Sequence, residues 1–298
     1  MAIAWVFPGQ GSQKIGMADA VLGLPGAKER FNYASNLLNR DLLAICSAEA
    51  KPLSPSDDLN QTINTQPAMF VVESLIVDDL KRQGREASVF AGHSLGEIVA
   101  LYAANVFDME TALHLLKRRS ELMDSSSNGS MTAILGFDRN QLENLVDSTE
   151  GVVIANDNSS SQVVLSGVPD AVNSVSSQIK CKRAISLPVS GAFHSPLMEV
   201  AAKEFAKELD KVEFRDAIAP VLSNADPSPT QTGTLLKEKL IKQMTTGVRW
   251  RETMDIMIDL GVKNIVEIGP GNVLSGLAKR TLKDVTINQI SSTTDLGH

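Results

Sequence analysis

The feature that most restricts the fold is the spacing of short apolar runs along the chain. Residues 3–7, 87–91, 219–222, 265–268 and 285–290 read as buried strands. Between them lie stretches with helical spacing. One follows Thr65, with Met69, Val72, Leu75, Ile76 and Leu80 on one face; others cover about residues 95–105, 108–123, 195–209, 234–244, 250–260 and 272–282. Strand and helix in alternation predict an α/β protein whose mostly parallel sheet is covered on both faces.

The middle of the chain follows a different order. After the turn-rich joint DSSSNGS, a strand is expected at residues 131–136, a helix at 138–146 and a strand at 152–155. The polar stretch NDNSSS reads as a loop, followed by a strand at 162–166, a helix at 169–179 and a strand at 183–187. That is the β-α-β-β-α-β order of a ferredoxin-like unit. Residues 127–193 are therefore expected to form a small subdomain inserted into a larger one made of residues 1–126 and 194–298. Such an insertion costs little, because closure entropy grows slowly with loop length.

A nucleophile is suggested where one strand meets its helix. Gly92-His93-Ser94-Leu95-Gly96 fits G-x-S-x-G, with an apolar run before it and a helical pattern after it. A tight strand-to-helix turn leaves no room for side chains at the flanking positions, and it projects the serine from the sheet's carboxyl edge. The helix start directs free N–H groups at the same spot, where an oxyanion could be held. The plainer alternative is a glycine turn in which Ser94 caps a helix.

Such a serine needs a base, and the chain has four histidines. His298 is terminal, His114 reads as a partly buried helix residue, and His93 should point away from its neighbour across the turn. His194, in LPVSGAFHSPLM, stands at the junction of the two subdomains just ahead of a helix that Ser195 would cap and Pro196 would open. It is the candidate base, or else a histidine that merely packs at the joint.

Composition narrows the partners. Acidic residues outnumber basic ones 35 to 28, a net charge of −7, which argues against nucleic acid and anionic membrane. No apolar run approaches a membrane span or a signal peptide, so a cytoplasmic setting is expected. Cys46 and Cys181 offer neither a disulfide framework nor metal-ligand spacing.

Four motifs, FPGQGSQ (7–13), GHSLGE (92–97), GAFHSPLM (191–198) and EIGPGNVL (267–274), occur in an order and at distances that resemble the malonyl-CoA:acyl carrier protein transacylases and the related acyltransferase domains of polyketide synthases. The likeness covers nearly the whole chain. It implies an α/β-hydrolase-like core with an inserted ferredoxin-like subdomain, which agrees with the element order above. It further implies Ser94 as the nucleophile carrying a malonyl ester and His194 as its base. Gln10 and the Leu95 N–H would form the oxyanion hole, and Arg119 would clamp the malonyl carboxylate. A guanidinium suits that role because it matches a carboxylate bidentately. Without the resemblance, Arg119 would read as a solvated helix charge beside Lys117 and Arg118. Met123 falls in the clamp motif, and Asn156 and Asn158 match positions that line the cleft in relatives. EIGPGNVL, at a strand-to-helix turn, reads as structural.

The chain departs from the family pattern in two places. Arg119-Ser120-Glu121-Leu122-Met123-Asp124 keeps the arginine and methionine of the clamp and changes its far end. A backbone carbonyl, from a residue often glutamine in relatives, orients the base, and Arg249 is expected there. The implied reaction is ping-pong malonyl transfer from malonyl-CoA to the phosphopantetheine thiol of acyl carrier protein, by a monomer, with no metal or redox cofactor. GAFHS, in place of a YASH-type sequence, resembles malonyl-selective relatives. Lys180, Lys182 and Arg183, or Lys279, Arg280 and Lys283, offer basic patches for an acidic carrier. A serine hydrolase or thioesterase on the same elbow, and a non-catalytic scaffold, are the alternatives.

Overall fold

The computed structural model describes residues 2–50, 54–126, 128–189 and 191–297. Ser127 and Ser190, at the joints of the expected subdomains, and His298 lie outside them. The strands are β1 (Ala2–Phe7), β2 (Val89–Gly92), β3 (Ser130–Phe137), β4 (Val152–Ser159), β5 (Gln162–Gly167), β6 (Cys181–Ser186), β7 (Val221–Leu222), β8 (Val262–Ile268) and β9 (Thr286–Ile290). The helices are α1 (Ala27–Leu38), α2 (Leu42–Cys46), α3 (Thr62–Arg82), α4 (Gly96–Ala103), α5 (Met109–Asp124), α6 (Arg139–Asp147), α7 (Pro169–Gln178), α8 (Glu199–Asp210), α9 (Gly233–Lys242), α10 (Trp250–Asp259), α11 (Val273–Thr281) and α12 (Thr293–Leu296).

Five strands form one sheet in the order β7-β2-β1-β8-β9, every neighbouring pair parallel. Side chains alternate across it. Trp5, Phe7 and Phe90 enter the core shared with α3, α4, α5 and α8, whereas Ala4, Val6, Val89 and Ala91 enter the core shared with α10 and α11. Both faces are therefore buried, which is why the strands read as unbroken apolar runs. The second sheet, β4-β5-β3-β6, is antiparallel and packs its apolar side against α6 and α7 through Ile134, Leu142, Val163, Leu165, Val172 and Val175. Its strand order is the ferredoxin-like one.

Two expectations about the elements need correction. The polar NDNS stretch is not a loop but the second half of β4, whose register slips between Ile154 and Asn156 and again between Asp157 and Ser159. Its backbone also pairs with the segment between α9 and α10: Asp157 donates to the Val248 carbonyl at 2.9 Å, and Val248 donates to Ala155 at 2.7 Å. A strand that pairs with a second partner need not carry an apolar face. The helix expected from Ser195 begins instead with a 3₁₀ turn, Pro196–Met198, capped by the Ser195 hydroxyl; α8 starts at Glu199.

Candidate active site

Turns leaving β1, β2 and β7 meet at one end of the parallel sheet, and the β2 turn explains its own sequence. A Cβ at Gly92 would run into the Gly96 carbonyl, and one at Gly96 would run into the Phe7 carbonyl. Only glycine fits either place. Ser94 between them has φ +55°, a left-handed conformation that costs a non-glycine residue of order 1–3 kcal/mol. The surroundings hold it there. The Ser94 N–H donates to Asn224 Oδ1 at 2.7 Å, and Asn224 Nδ2 donates to the Gly92 carbonyl at 2.6 Å. His93 donates its N–H to Phe7 at 2.9 Å, and its ring nitrogen Nε2 lies 2.9 Å from Asn158 Oδ1. Thus His93 does turn away from its neighbour, and Asn158, buried on β4, supports the elbow through it.

Ser94 and His194, a hundred residues apart, come together: Oγ lies 2.8 Å from Nε2. His194 also has a left-handed backbone, φ +57°, and is buried. Its Nδ1 lies 2.9 Å from the backbone carbonyl of Gln243. Burial, and next the nearby Arg119 charge, pull its pKa down to about 3, while the Gln243 carbonyl pulls the other way. The imidazole is therefore neutral near pH 7, with Nδ1–H donating to the carbonyl and Nε2 free to accept from the serine hydroxyl.

That carbonyl corrects the expectation for Arg249. The Arg249 carbonyl accepts from Thr253 N at 2.9 Å and from Thr253 Oγ1 at 3.0 Å, inside the first turn of α10. Its guanidinium pairs with Glu252 on the surface. Gln243 sits just beyond the end of α9, where helix carbonyls lack intrahelical partners and remain available.

Arg119 is not a solvated helix charge; it is fully buried. It donates to Gln66 Oε1 at 2.8 Å, to Gln243 Oε1 at 2.9 Å and to Ser94 Oγ at 3.1 Å. All three acceptors are neutral, and among the described residues no carboxylate is within ion-pair reach. Burial lowers its pKa to about 10, opposed by the charge of Glu97. A buried cation with only neutral partners favours an anion delivered from outside.

The other expected residues take these places. Gln10 lies in the turn after β1, and its amide donates to Thr62 Oγ1 at 3.3 Å, so among the described residues no hydrogen bond joins it to Ser94. Leu95 precedes α4, and among the described residues nothing accepts from its N–H, which follows directly after Ser94. Met123, one turn beyond Arg119 on α5, accepts from Gln66 Nε2 at 3.2 Å. Asn156 carries a buried Oδ1 without a hydrogen-bond partner among the described residues. His114, expected partly buried, is exposed and lines a 500 Å³ surface cleft with Asp108, Glu110 and Glu208, away from Ser94.

Sequence reasoning missed four polar residues that build the site. Gln66 and Gln243 hold Arg119. Asn224 clamps the elbow. Glu97, fully buried, accepts from Asn224 N at 3.0 Å and from Gln243 Nε2 at 2.8 Å. Glutamine and asparagine carry no motif of their own. Glu97 was visible as the last letter of GHSLGE, with no pattern to say what it faces.

The acyl transferase domain model matches residues 4–298. The chain is 48% identical, over 100% of its length and 99% of the relative's, to the malonyl CoA-acyl carrier protein transacylase of Synechocystis sp. PCC 6803. The crystal structure of the Synechocystis malonyl-CoA:ACP transacylase superposes with a TM-score of 0.95 at 46% identity, covering 100% of this chain and 99% of that one. A malonyl-transacylase in complex with its type II PKS acyl-carrier protein superposes with a TM-score of 0.91 at 34% identity, covering 99% and 98%.

Proposed function

The chain belongs to the acyl transferase domain family, and from that premise we propose that it moves a malonyl group from malonyl-CoA to the phosphopantetheine thiol of an acyl carrier protein, in fatty acid biosynthesis. The observation that carries the reading is the Ser94–His194 contact at 2.8 Å with the buried Arg119 guanidinium 3.1 Å from the same hydroxyl. In a malonyl ester of Ser94 only two carbon atoms separate the ester oxygen from the carboxylate. A guanidinium that touches the oxygen is therefore also within reach of the carboxylate, and among the described residues it has no other anion to pair with.

Malonyl-CoA enters with its carboxylate on Arg119. His194 Nε2 takes the Ser94 proton as Oγ attacks the thioester carbonyl. The Leu95 N–H, with Gln10 once its amide leaves Thr62, stabilises the oxyanion. The C–S bond breaks, the imidazolium returns its proton to the departing coenzyme A thiolate, and malonyl-Ser94 remains. The carrier's thiol then gives its proton to His194 and attacks the ester. The tetrahedral adduct collapses, malonyl leaves on the carrier's sulfur, and Oγ recovers the proton. Every proton is held by a residue of this chain or by a substrate group.

Residues 1–126 with 194–298 form the catalytic unit in this reading, and residues 127–193 supply Asn158 behind the elbow. Among the described residues no helix is long and apolar enough to cross a membrane, which fits the cytoplasmic setting we propose. Intact-mass measurement tests the whole scheme. Malonyl-CoA should leave one malonyl group, mapped to Ser94, discharged rapidly by carrier protein and slowly by water. Rapid discharge by water would make the protein a hydrolase, and no adduct would make it a scaffold.

A further inference from the structure

Glu97 lies in the first turn of α4, three residues past the nucleophile, and is wholly buried. The mechanism above gives it no task. Its Oε2 nevertheless meets Gln243 Nε2 at 2.8 Å, and Gln243 touches Ser94, Arg119 and His194. The same Nε2 donates to the Ser94 carbonyl at 2.8 Å, Oε1 accepts from Arg119 at 2.9 Å, and the backbone carbonyl accepts from His194 Nδ1.

An amide donates on one side and accepts on the other. Turned over, Gln243 would set its NH₂ against the Arg119 donors and its oxygen against the Ser94 carbonyl, making both contacts repulsive. Glu97 offers only an acceptor toward Nε2 and so opposes that turn. The same oxygen also receives the Asn224 N–H at 3.0 Å, and the Asn224 side chain holds both the Ser94 N–H and the Gly92 carbonyl.

We propose that Glu97 is a positioning residue: by fixing the Gln243 amide and the Asn224 backbone it aligns Arg119, His194 and the Ser94 turn, while touching neither the acyl group nor the reacting hydroxyl. The inference rests on the transfer reading for its choice of substrates. Burial raises the Glu97 pKa, and the Asn224 and Gln243 hydrogen bonds oppose the rise. The alignment does not depend on the outcome, since a carbonyl oxygen accepts the same two bonds. A glutamine at position 97 would keep that oxygen, and its NH₂ would take the place of Oε1, which has no hydrogen-bond partner among the described residues.

The test compares Glu97→Gln with Glu97→Leu. Steady-state constants are measured with malonyl-CoA and acetyl-CoA, each normalised to the fraction of Ser94 that can be acylated, alongside the rate of Ser94 labelling by a fluorophosphonate. Glu97→Gln is expected to lose less than about fivefold in kcat/KM. Glu97→Leu should lose roughly ten- to a hundredfold with malonyl-CoA, the scale of one buried hydrogen bond to a charged group. It should lose less with acetyl-CoA, and label about tenfold more slowly. Equal behaviour of the two variants, or a malonyl-to-acetyl ratio unchanged in Glu97→Leu, would overturn the proposal. If Glu97→Leu does not fold, Gln243→Leu removes the same link and keeps the carbonyl on His194. It should lower the malonyl-to-acetyl ratio about tenfold, and an unchanged ratio overturns the proposal. A wild-type protein that labels with fluorophosphonate but takes no malonyl group refutes the transfer reading instead. The labelling rates then decide the inference: slower Glu97→Leu supports it, and equal rates overturn it.

Discussion

Two strand-to-helix turns of the same design flank β1 at one edge of the parallel sheet, and they serve opposite ends. The β2–α4 turn, GHSLGE, presents Ser94 and leaves the Leu95 N–H without an acceptor among the described residues. In the β8–α11 turn, EIGPGN, the helix start is already occupied. Glu267 on β8 accepts from Leu274 N at 3.0 Å and from Ser275 N at 2.7 Å. Both turns need glycine: Gly92 and Gly96 for close backbone approach, Gly269 and Gly271 for φ values of +135° and +81°. Both carry a wholly buried glutamate. The position of that carboxyl group decides the use. Glu267 caps its own helix and closes it to any ligand. Glu97 lies inside its helix, bonds to Asn224 and Gln243, and leaves the helix start open toward Ser94. Strand, glycine turn and helix make an anion-binding site only where the N–H groups are left free.

Substitutions on the two sides should separate along that line. Ser94→Ala removes the proposed nucleophile, and kcat should fall about a thousandfold or more with no malonyl adduct in the intact mass. Unfolding in denaturant should change little, because alanine keeps the left-handed backbone that the surroundings impose at position 94. Glu267→Ala should do the reverse. Loss of two charge-assisted bonds at a helix start is worth about 2–3 kcal/mol of stability, read from the denaturation midpoint. Its kcat/KM per folded molecule should stay within about twofold. A thousandfold loss of activity in folded Glu267→Ala would erase the distinction between the turns.

The smallest effect concerns Glu73, on the face of α3 that meets the closed turn. A Cβ at Gly269 would press on the Glu73 side chain, neither Glu73 carboxyl oxygen has a hydrogen-bond partner among the described residues, and the group is fully buried. Burial, with the Glu267 charge second, holds its pKa well above the ordinary carboxyl range. The folded chain thus keeps a proton that the unfolded chain releases. The stability this contributes is full below the unfolded pKa and is lost as pH rises toward the folded one. Glu73→Gln has no such slope. It should be more stable than the parent near pH 8, with the gain shrinking toward pH 4. A gain that grows on acidification would contradict the assignment.

The sequence carried the frame further than the site. Buried parallel strands announce themselves as unbroken apolar runs, so the β1, β2, β8 and β9 segments were legible, and GHSLG marked the elbow because sterics there admit only glycine. Less was legible where polar residues serve geometry. NDNS reads as a loop, yet its backbone pairs with Val248 as well as with β5, a long-range bond that no local pattern records. Without the family resemblance Arg119 would read as solvated beside Lys117 and Arg118, because the glutamines that enclose it come from α3 and from the end of α9, 53 and 124 residues away. The carbonyl that orients His194 was expected at Arg249 and belongs to Gln243, because a backbone acceptor leaves no trace in side-chain identity.

The central claim is that Arg119 reads the carboxylate of the acyl group. Kinetics of Arg119→Ala with malonyl-CoA and acetyl-CoA test it most directly. The malonyl kcat/KM should fall roughly ten- to a hundredfold, with acetyl-CoA changed less than about threefold. Equal losses with both substrates would contradict the claim.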